Sequence, residues 1–409
     1  MAREKRKDKK GYLLKDGECQ RKDGRYSYAY TDRFKKRHTV YARTLVELRE
    51  KEKEIRMDLD MGIDPNAAKK MTLNDVFDRF ISRKYDLKPT TRSNYQFAYD
   101  HYVREGFGKQ KIGKIHYSDV KKFYYELLSE RGLKPRTLDG INTVVHGTFK
   151  MAVRDEIVRG NPTEGVMAEI KKSDLWVNTR KDALTLPQQK ELIAYMEDNH
   201  RFTGWVPIIT VLLGTGMRIG ECLGLRWEDI DLDNRIISVN HNLVDYQDRS
   251  IKKQVRAIQT TKTRAGVRTI PMIDEVYEAF ITEYELQQAI GFCTEEISGY
   301  SGFIFATVDG KLMSRGAVNN AIHRIVAEHN KDEEKKAIAE GREPLLIPQF
   351  SAHQLRHTFC TRFCENETNL KVIQSIMGHS DITTTMDIYA DATQEKKQEI
   401  MANLNGKIF

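Results

Sequence analysis

The sequence contains no long apolar run. No stretch approaches the roughly 18 consecutive apolar residues of a membrane-spanning helix. The basic first residues also lead into no apolar core of the kind found in a secretion signal. We therefore expect a soluble protein with no membrane partner.

Cysteine is also scarce. The five cysteines in 409 residues form an odd-numbered set without the spacing of a disulfide framework, and reduced thiols are typical of the cytoplasm. His357, Cys360 and Cys364 have a spacing compatible with metal ligands on one helix, but no fourth ligand with recognisable spacing follows. Because buried cysteines commonly pack as small apolar groups, we expect no metal and a cytoplasmic location.

The common nucleotide-binding loops are missing. An apolar run leads into Gly214 and Gly216, but Gly220 follows at a spacing that does not fit G-x-G-x-x-G, and no G-K-[ST] sequence occurs. This segment is therefore not predicted to bind a nucleotide.

Positive charge is in excess. Lys and Arg number 67 against 59 Asp and Glu, which gives a net charge of +8. An ordinary solvated surface can carry such a balance, but six of the first ten residues are basic. Such an arm commonly follows the phosphates of a nucleic acid. The charge distribution favours a polyanionic partner.

The N-terminal region, residues 1–66, contains short segments rich in Tyr and basic residues, broken by two Asp-Gly pairs. This pattern predicts a small three-stranded antiparallel sheet, and Thr44 is expected to begin a helix that packs on it. Alternate strand residues face opposite sides, so the tyrosines divide between the core and an exposed face. We expect the exposed face to bind DNA through Arg25, Tyr28, Lys35, Lys36 and Arg37.

The second region, residues 72–170, follows the 3.6-residue apolar period of helices. Arg92 and Arg136 lie near predicted helix starts, where free backbone N–H groups and the helix dipole favour phosphates, and we expect both to contact DNA. Helix starts are predicted at Thr72, near Thr90, at Ser118 and near Thr137.

The third region, residues 178–409, is predicted to be mostly helical around a strand-rich middle that forms a small antiparallel sheet. The polar stretch 329–344 is expected to be a mobile surface excursion. The whole chain is therefore predicted to have a multidomain α+β fold.

Several side chains of the third region suit a bound phosphate. Arg218 is followed one turn later by Glu221, which can orient the guanidinium. His353 and Arg356 lie one turn apart on one face of a predicted helix. Taken singly, such an arginine is more often a surface ion pair, and such a histidine and arginine an ordinary polar pair.

Gly378 is the expected C-terminal cap of a further helix and would hold His379 in the following turn. Tyr389 follows ten residues later. A tyrosine among apolar neighbours usually belongs to a core, but no Ser, Cys or paired-carboxylate alternative is evident as a nucleophile. Together these residues point to DNA strand cleavage at a phosphate.

The segments GTGMRIGECLGLRW, SAHQLRHTF and MGHSDITTTMDIYA resemble the box motifs of the tyrosine recombinase (phage-type integrase) family. The organisation of the whole chain is most similar to integrases of conjugative transposons. The resemblance implies an arm-type DNA-binding domain over 1–66, a helical core-binding domain over 72–170 and a catalytic domain with a C-terminal tail helix over 178–409. It implies a catalytic set of Arg218, Lys262, His353, Arg356, His379 and Tyr389.

Within this set, Lys262 matches the family's hairpin lysine, and Lys252 and Lys253 are weaker alternatives. The implied reaction is attack of Tyr389 on the scissile phosphate, which forms a 3′-phosphotyrosyl link and releases a 5′-hydroxyl. His353 is the candidate base and Lys262 the candidate acid. Because the covalent link preserves the bond energy, no cofactor is expected.

The resemblance also implies partners. These are double-stranded DNA at core and arm sites, a homotetramer on DNA that is a monomer when free, and excisionase and DNA-bending accessory proteins. A location with the bacterial nucleoid follows. In the tail, Ile400, Leu404 and Ile408 form an amphipathic stripe that can dock on a neighbouring protomer or on its own domain.

Three functions are compatible with these residues. The first is integration and excision of a mobile element through a Holliday junction. The second is a chromosome-dimer resolvase or a type IB topoisomerase-like enzyme. The third is a catalytically silent DNA-binding regulator. The extra basic N-terminal module favours the first, and the intact set of catalytic residues argues against the third.

Overall fold

The computed structural model describes residues 6–32, 35–60, 67–177, 182–248, 252–260, 264–367 and 369–383, with 386 and 402. The chain forms two compact units, Met1–Thr179 and Arg180–Phe409. The finer division into 1–66, 72–170 and 178–409 stays a prediction. In the part of the chain that the structure describes, no helix is both long enough and apolar enough to cross a membrane.

The first unit opens with an antiparallel sheet in the order β1-β2-β3. Strand β2 places Tyr26, Tyr28 and Tyr30 on the face that packs against the following helix, where Leu48 is fully buried. These elements are β1 (Glu18–Gln20), β2 (Tyr26–Thr31), β3 (Arg37–Ala42) and α1 (Leu45–Asp60).

This strand register corrects one prediction. Tyr28 is only 6% exposed and belongs to the core of the module, so its side chain is not on the face available to DNA. The outer face carries the residues between the tyrosines. Across β2 and β3 these pair as Ser27 with Tyr41, and Thr31 with Arg37.

A buried carboxylate joins β1 to α1. Glu18 is fully buried, and Arg49 of α1 donates to it from Nε at 3.1 Å and from Nη2 at 3.3 Å. The Lys15 backbone N–H donates to the same carboxylate at 2.7 Å. Burial favours the neutral carboxyl, but Arg49 and the Lys15 N–H outweigh it and hold the pKa of Glu18 below its usual value.

The rest of the first unit is helical, as predicted. Thr72 caps its helix by accepting from the Asp75 N–H at 3.2 Å. The helices bury a continuous apolar core that includes Phe77, Tyr99 and Phe149. They are α2 (Ala67–Lys70), α3 (Leu73–Ser82), α4 (Pro89–Tyr102), α5 (Tyr117–Ser129), α6 (Pro135–Arg154) and α7 (Val166–Ile170).

The second unit surrounds two small antiparallel sheets with helices, which confirms the predicted fold class. Its helices are α8 (Leu186–Asp198), α9 (Val206–Thr215), α10 (Ile219–Gly224), α11 (Asp274–Ile290), α12 (Arg315–Glu340), α13 (Ala352–Asn366) and α14 (Leu370–Met377). Its strands are β4 (Ile230–Asp231), β5 (Ile236–Val239), β6 (His241–Asp248), β7 (Lys253–Thr260) and β8 (Arg268–Pro271). One sheet has the order β4-β5-β8, and β6 and β7 form a hairpin.

Helix α9 is the centre of the second unit. It is apolar on nearly all sides and packs against α11 and α13, as expected of a helix buried in a core. Gly214 permits the close approach of α11, since a Cβ there would overlap Val276 Cγ2. On another side, α9 packs against α13, the helix that carries the two predicted site residues His353 and Arg356.

The polar stretch 329–344 is not an excursion, which corrects the prediction for it. Residues up to Glu340 continue α12. His329, Glu333 and Ala337 are buried at four-residue spacing, and Arg342 pairs with Glu333 through both amino groups, at 2.5 and 2.9 Å. The composition is typical of a solvated segment because two of the inward residues, His329 and Glu333, are polar, but both have hydrogen-bond partners in the fold.

We predict that Arg49→Met loosens the N-terminal module in the full chain. It removes two donors from a buried carboxylate, a loss that costs about 1–3 kcal/mol. The pKa of Glu18 is lower in the folded state than in the unfolded state, so its carboxylate stabilises the fold above the unfolded-state pKa and loses this effect in acid. The substitution should therefore reduce stability at neutral pH and have little effect in acid. Hydrogen exchange of the β2 amides should accelerate at pH 7. Lys53→Met, at an exposed position of the same helix, is the control, and equal exchange in both variants would contradict the prediction.

Candidate active site

Four predicted catalytic residues meet at one small cavity in the second unit. The cavity has a volume of about 220 Å³. The side chains come from the start of α10, from α13 and from the turn after α14. The lining residues are Arg218, His353, Arg356, His357, Met377, His379 and Ser380.

Arg218 precedes α10 and is fixed by the carboxylate of Glu221. Its Nη1 donates to Glu221 Oε1 at 2.7 Å, and its backbone N–H donates to Oε2 at 3.0 Å. The Arg218 side chain is 44% exposed, whereas that of Glu221 is 3% exposed. The guanidinium is therefore anchored from the protein side and open toward the cavity, and its contact with a phosphate stays a prediction.

Arg356 is almost fully buried and is held by main-chain carbonyls. Its Nη1 donates to Gly216 O at 2.6 Å and its Nη2 to Met377 O at 2.7 Å. Gly216 caps α9 with φ +61°, and a Cβ there would overlap the Phe359 ring, so only glycine fits this turn. Burial first, and then the nearby Arg218, lower the pKa of Arg356 to about 10, which leaves it charged at neutral pH.

His379 follows the glycine cap that the sequence predicts. Gly378 ends α14 with φ +63°, and the His379 N–H donates to Gln374 O at 3.2 Å. The histidine is 7% exposed. Burial, followed by the charges of Arg356, Arg218 and Arg268, lowers its pKa to about 4. At neutral pH the ring is therefore uncharged and offers one N–H donor.

His353 also favours the neutral form. Its ring keeps access to solvent, but the surrounding protein removes water from part of it. This desolvation, followed by the charges of Arg356 and Arg218, lowers the pKa of His353. A neutral imidazole at the edge of the cavity can accept a proton.

Two residues of this region were not predicted as part of a phosphate site. His357 lines the cavity one turn after His353. Arg268 is buried, does not line the cavity, and donates to Glu221 Oε2 at 2.9 Å. The burial of β8 alternates, with Arg268 and Ile270 inward, so an arginine at an inward position of a strand is the signal that could have identified it.

Two predicted catalytic residues, Lys262 and Tyr389, lie outside the residues that the structure describes, as does the Ile400, Leu404 and Ile408 stripe. The alternatives Lys252 and Lys253 are exposed at the tip of the β6–β7 hairpin, and neither lines the cavity.

The alternative in which His357, Cys360 and Cys364 bind a metal ion finds no support in the described residues. Cys360 is fully buried and packs with Ile373 and Met377. Among the side chains that the structure places, no three of His, Cys, Asp or Glu lie close enough together to hold a metal ion.

The predicted DNA-binding residues of the N-terminal module fall into two groups. Lys35, Lys36 and Arg37 are exposed together where β3 begins. Arg25 is also exposed, in a turn, and donates to Asp23 at 2.7 Å.

In the helical part, Arg136 is exposed in the first turn of α6. Arg92 instead donates to main-chain carbonyls within the chain, to Ile81 O at 2.6 Å and to Lys84 O. These bonds give Arg92 a structural contact between α3 and α4, so its contact with DNA stays a prediction.

Three family models match the chain. The Phage integrase family matches residues 183–396, the DNA binding domain of tn916 integrase matches residues 2–59, and the Phage integrase, N-terminal SAM-like domain matches residues 72–128.

Similar proteins and structures agree with these matches. The transposase from transposon Tn916 of Enterococcus faecalis and that from transposon Tn1545 of Streptococcus pneumoniae are each 32% identical, over 98% of this chain and 97% of the relative. The structure of the Tn1549 transposon integrase in complex with a circular intermediate DNA covers 82% of this chain and all of that chain, with 29% identity and a TM-score of 0.70. This chain therefore belongs to the phage integrase family and is a tyrosine recombinase.

Proposed function

We propose that this chain cuts and rejoins DNA strands at specific sites, and that it thereby integrates and excises a conjugative transposon. The observation that carries the proposal is the convergence of Arg218, His353, Arg356 and His379 on one cavity. Two cations and two neutral imidazoles around a small opening suit a phosphodiester, which carries one negative charge.

Each side chain has a role that its surroundings support. Arg218 and Arg356 bind the non-bridging oxygens of the scissile phosphate, and His379 donates its N–H to one of them. Such preorganised donors stabilise the charge that develops in the transition state. Because the groups are already held by Glu221, Gly216 O and Met377 O, little reorganisation is needed on binding.

The covalent step uses Tyr389. A phenol with a pKa near 10 is about 0.1% ionised at pH 7, so its attack requires a base or a strong positive field. His353 is neutral and accepts the phenolic proton as the tyrosine oxygen bonds to phosphorus. The 5′-oxygen leaves with a proton from Lys262, and the 3′-phosphotyrosyl link is then attacked by a 5′-hydroxyl of the partner strand. Both steps exchange one phosphodiester for another.

Recombination of two duplexes through a Holliday junction requires four cleavages, which we propose a homotetramer performs on DNA. The Ile400, Leu404 and Ile408 stripe is the candidate contact between protomers. Excisionase, DNA-bending proteins and the location with the nucleoid stay predictions. The N-terminal module supplies a DNA contact separate from the cleavage site.

We predict that Tyr389→Phe abolishes covalent attachment to DNA, because phenylalanine has no nucleophilic oxygen. Nicked duplexes that carry candidate element ends are incubated with the protein in excess EDTA, and a denaturation-resistant 3′ adduct is measured. Tyr284→Phe, at a partly exposed tyrosine of α11, is the control and should form the adduct normally. An adduct that survives in Tyr389→Phe would remove Tyr389 as nucleophile. Specific DNA binding without any adduct from the unmodified protein would favour a silent regulator.

We predict that the cleavage rate falls as the solution is made acidic, with the midpoint of this acid limb below pH 6.5. Burial, followed by the charges of Arg356 and Arg218, lowers the pKa of His353 below that usual value, so protonation of the base is centred below pH 6.5. The rate is measured at DNA concentrations well below the dissociation constant, since the profile then reports the free protein. His353→Gln should be slower and should lack this limb. A limb centred above pH 6.5, or one retained in His353→Gln, would contradict the assignment.

We predict that replacing Lys35, Lys36 and Arg37 together by Ala weakens binding to long DNA and flattens its salt dependence. Each lost phosphate contact should reduce the slope of log K against log salt by about 1. Cleavage of a short duplex without a second site should not change. The control replaces Lys331, Lys335 and Lys336 of α12, which removes the same charge from exposed positions. If the two triple variants have equal salt slopes on long DNA, the turn at β3 is not a DNA contact.

A further inference from the structure

Arg268 is a buried arginine that does not line the cavity. It is the first residue of β8 and is 9% exposed. Its guanidinium uses all three nitrogens: Nη2 donates to Glu221 Oε2 at 2.9 Å, Nε donates to Ile376 O at 2.7 Å, and Nη1 donates to Gly266 O at 3.2 Å.

Arg268 is connected to Arg218 through the carboxylate of Glu221. The carboxylate of Glu221 is shared, because Oε2 accepts from Arg268 and Oε1 accepts from Arg218 Nη1 at 2.7 Å. Glu221 is 3% exposed. Without Arg268, its Oε2 would keep only the Arg218 backbone N–H as donor, so this buried carboxylate would be held less firmly and its rotamer, and Arg218 with it, could shift.

Arg268 is connected to His379 through the main chain at the end of α14. Ile376 O lies near the end of α14, and the chain turns at Gly378 immediately before His379. The turn touches Arg268 closely, since a Cβ at Gly378 would lie 2.9 Å from Arg268 Nη1. The position of the turn therefore depends on the same guanidinium.

We propose that Arg268 is a positioning residue that sets Arg218 and His379 in register with each other for one phosphate. The proposal rests on the function proposed above, in which both side chains bind the scissile phosphate. The planar guanidinium directs three donors to fixed acceptors at once, which a lysine ammonium on a flexible stem cannot reproduce. Residues that orient the ligands of metal sites change activity by about 10- to 100-fold when they are replaced, and we expect the same range for a residue that orients two phosphate ligands.

Arg268 also contributes charge. Burial, Arg356 and Arg218 lower the pKa of His379 more than Arg268 does, and Glu221 opposes them. Removing the Arg268 charge should therefore raise the pKa of His379, whereas lysine at this position should preserve it. Substitution by glutamine removes both the charge and the bonding geometry of Arg268, whereas substitution by lysine keeps the charge and removes only the geometry.

The test uses the full chain with R268Q, R268K and the control R235Q. Arg235 is an arginine of the same unit whose ion pair with Asp274, at 2.5 Å, is exposed. Three quantities are measured: the rate of adduct formation on nicked DNA, the DNA dissociation constant, and the histidine resonances of protein labelled with ¹³C and ¹⁵N. The chain has 11 histidines, and the His379 signal is identified by its loss in His379→Gln.

We expect R268Q to slow adduct formation by about 10- to 100-fold with DNA affinity changed by less than about twofold. Its His379 resonance should move and titrate at higher pH. R268K should keep the pKa of His379 near that of the unmodified protein and still slow the reaction, because it cannot make all three bonds. R235Q should match the unmodified protein in every measurement.

The proposal is overturned if the His379 resonance and its pKa are the same in R268Q as in R235Q, or if R268Q forms the adduct at the unmodified rate. If R268Q does not fold, R268K alone decides: an unmodified rate and an unmoved His379 resonance overturn the proposal. If the unmodified protein forms no Tyr389-dependent adduct, the proposed function fails, but the His379 resonance still tests whether Arg268 positions this turn.

Discussion

The proposed cleavage site depends on one buried positive charge. Arg356 is 4% exposed, and the acceptors bonded to it are the carbonyls of Gly216 and Met377. Carbonyl dipoles offset only part of the cost of burying a cation, and burial and Arg218 accordingly lower its pKa to about 10. The charge is retained at neutral pH, and together with the neighbouring Arg218 it favours the binding of an anion. The two carbonyls belong to the ends of α9 and α14, so this one contact also fixes the elements from which the rest of the site is built.

The balance of charge around the cavity follows from this arrangement. Arg218, Arg268 and Arg356 lie near the buried carboxylate of Glu221, which in the described part of the chain pairs with the first two of them. The excess of positive charge lowers the pKa of both histidines, after burial itself, so that they remain neutral donors or acceptors and do not add to the repulsion. A phosphodiester restores the balance. A neutral ligand would not, so the electrostatics of the cavity support the proposed binding of a nucleic-acid phosphate.

Much of this organisation could be predicted from the sequence, because local patterns determined it. The glycine cap at Gly378, the threonine cap at Thr72 and the spacing of His353 and Arg356 depend on short-range geometry. Contacts between distant residues were not predictable in the same way. The burial of Tyr28 depends on which strand face meets α1, and the order of 329–344 depends on Arg342 reaching Glu333. Arg268 contacts residues 47 and 108 positions away, and no local pattern carries that information beyond its inward place in β8.

The central claim is that the paired arginines act on the charge of the scissile phosphate, and replacing that phosphate by a neutral methylphosphonate tests it most directly. Adduct formation by Arg356→Ala and by the unmodified protein is compared on the two nicked substrates. The account predicts that Arg356→Ala is slower by about 10²-fold or more on the phosphate and regains most of that loss on the methylphosphonate, which needs no counter-charge. An equal defect on both substrates would contradict the account, because Arg356 would then act only by holding α9 and α14 together.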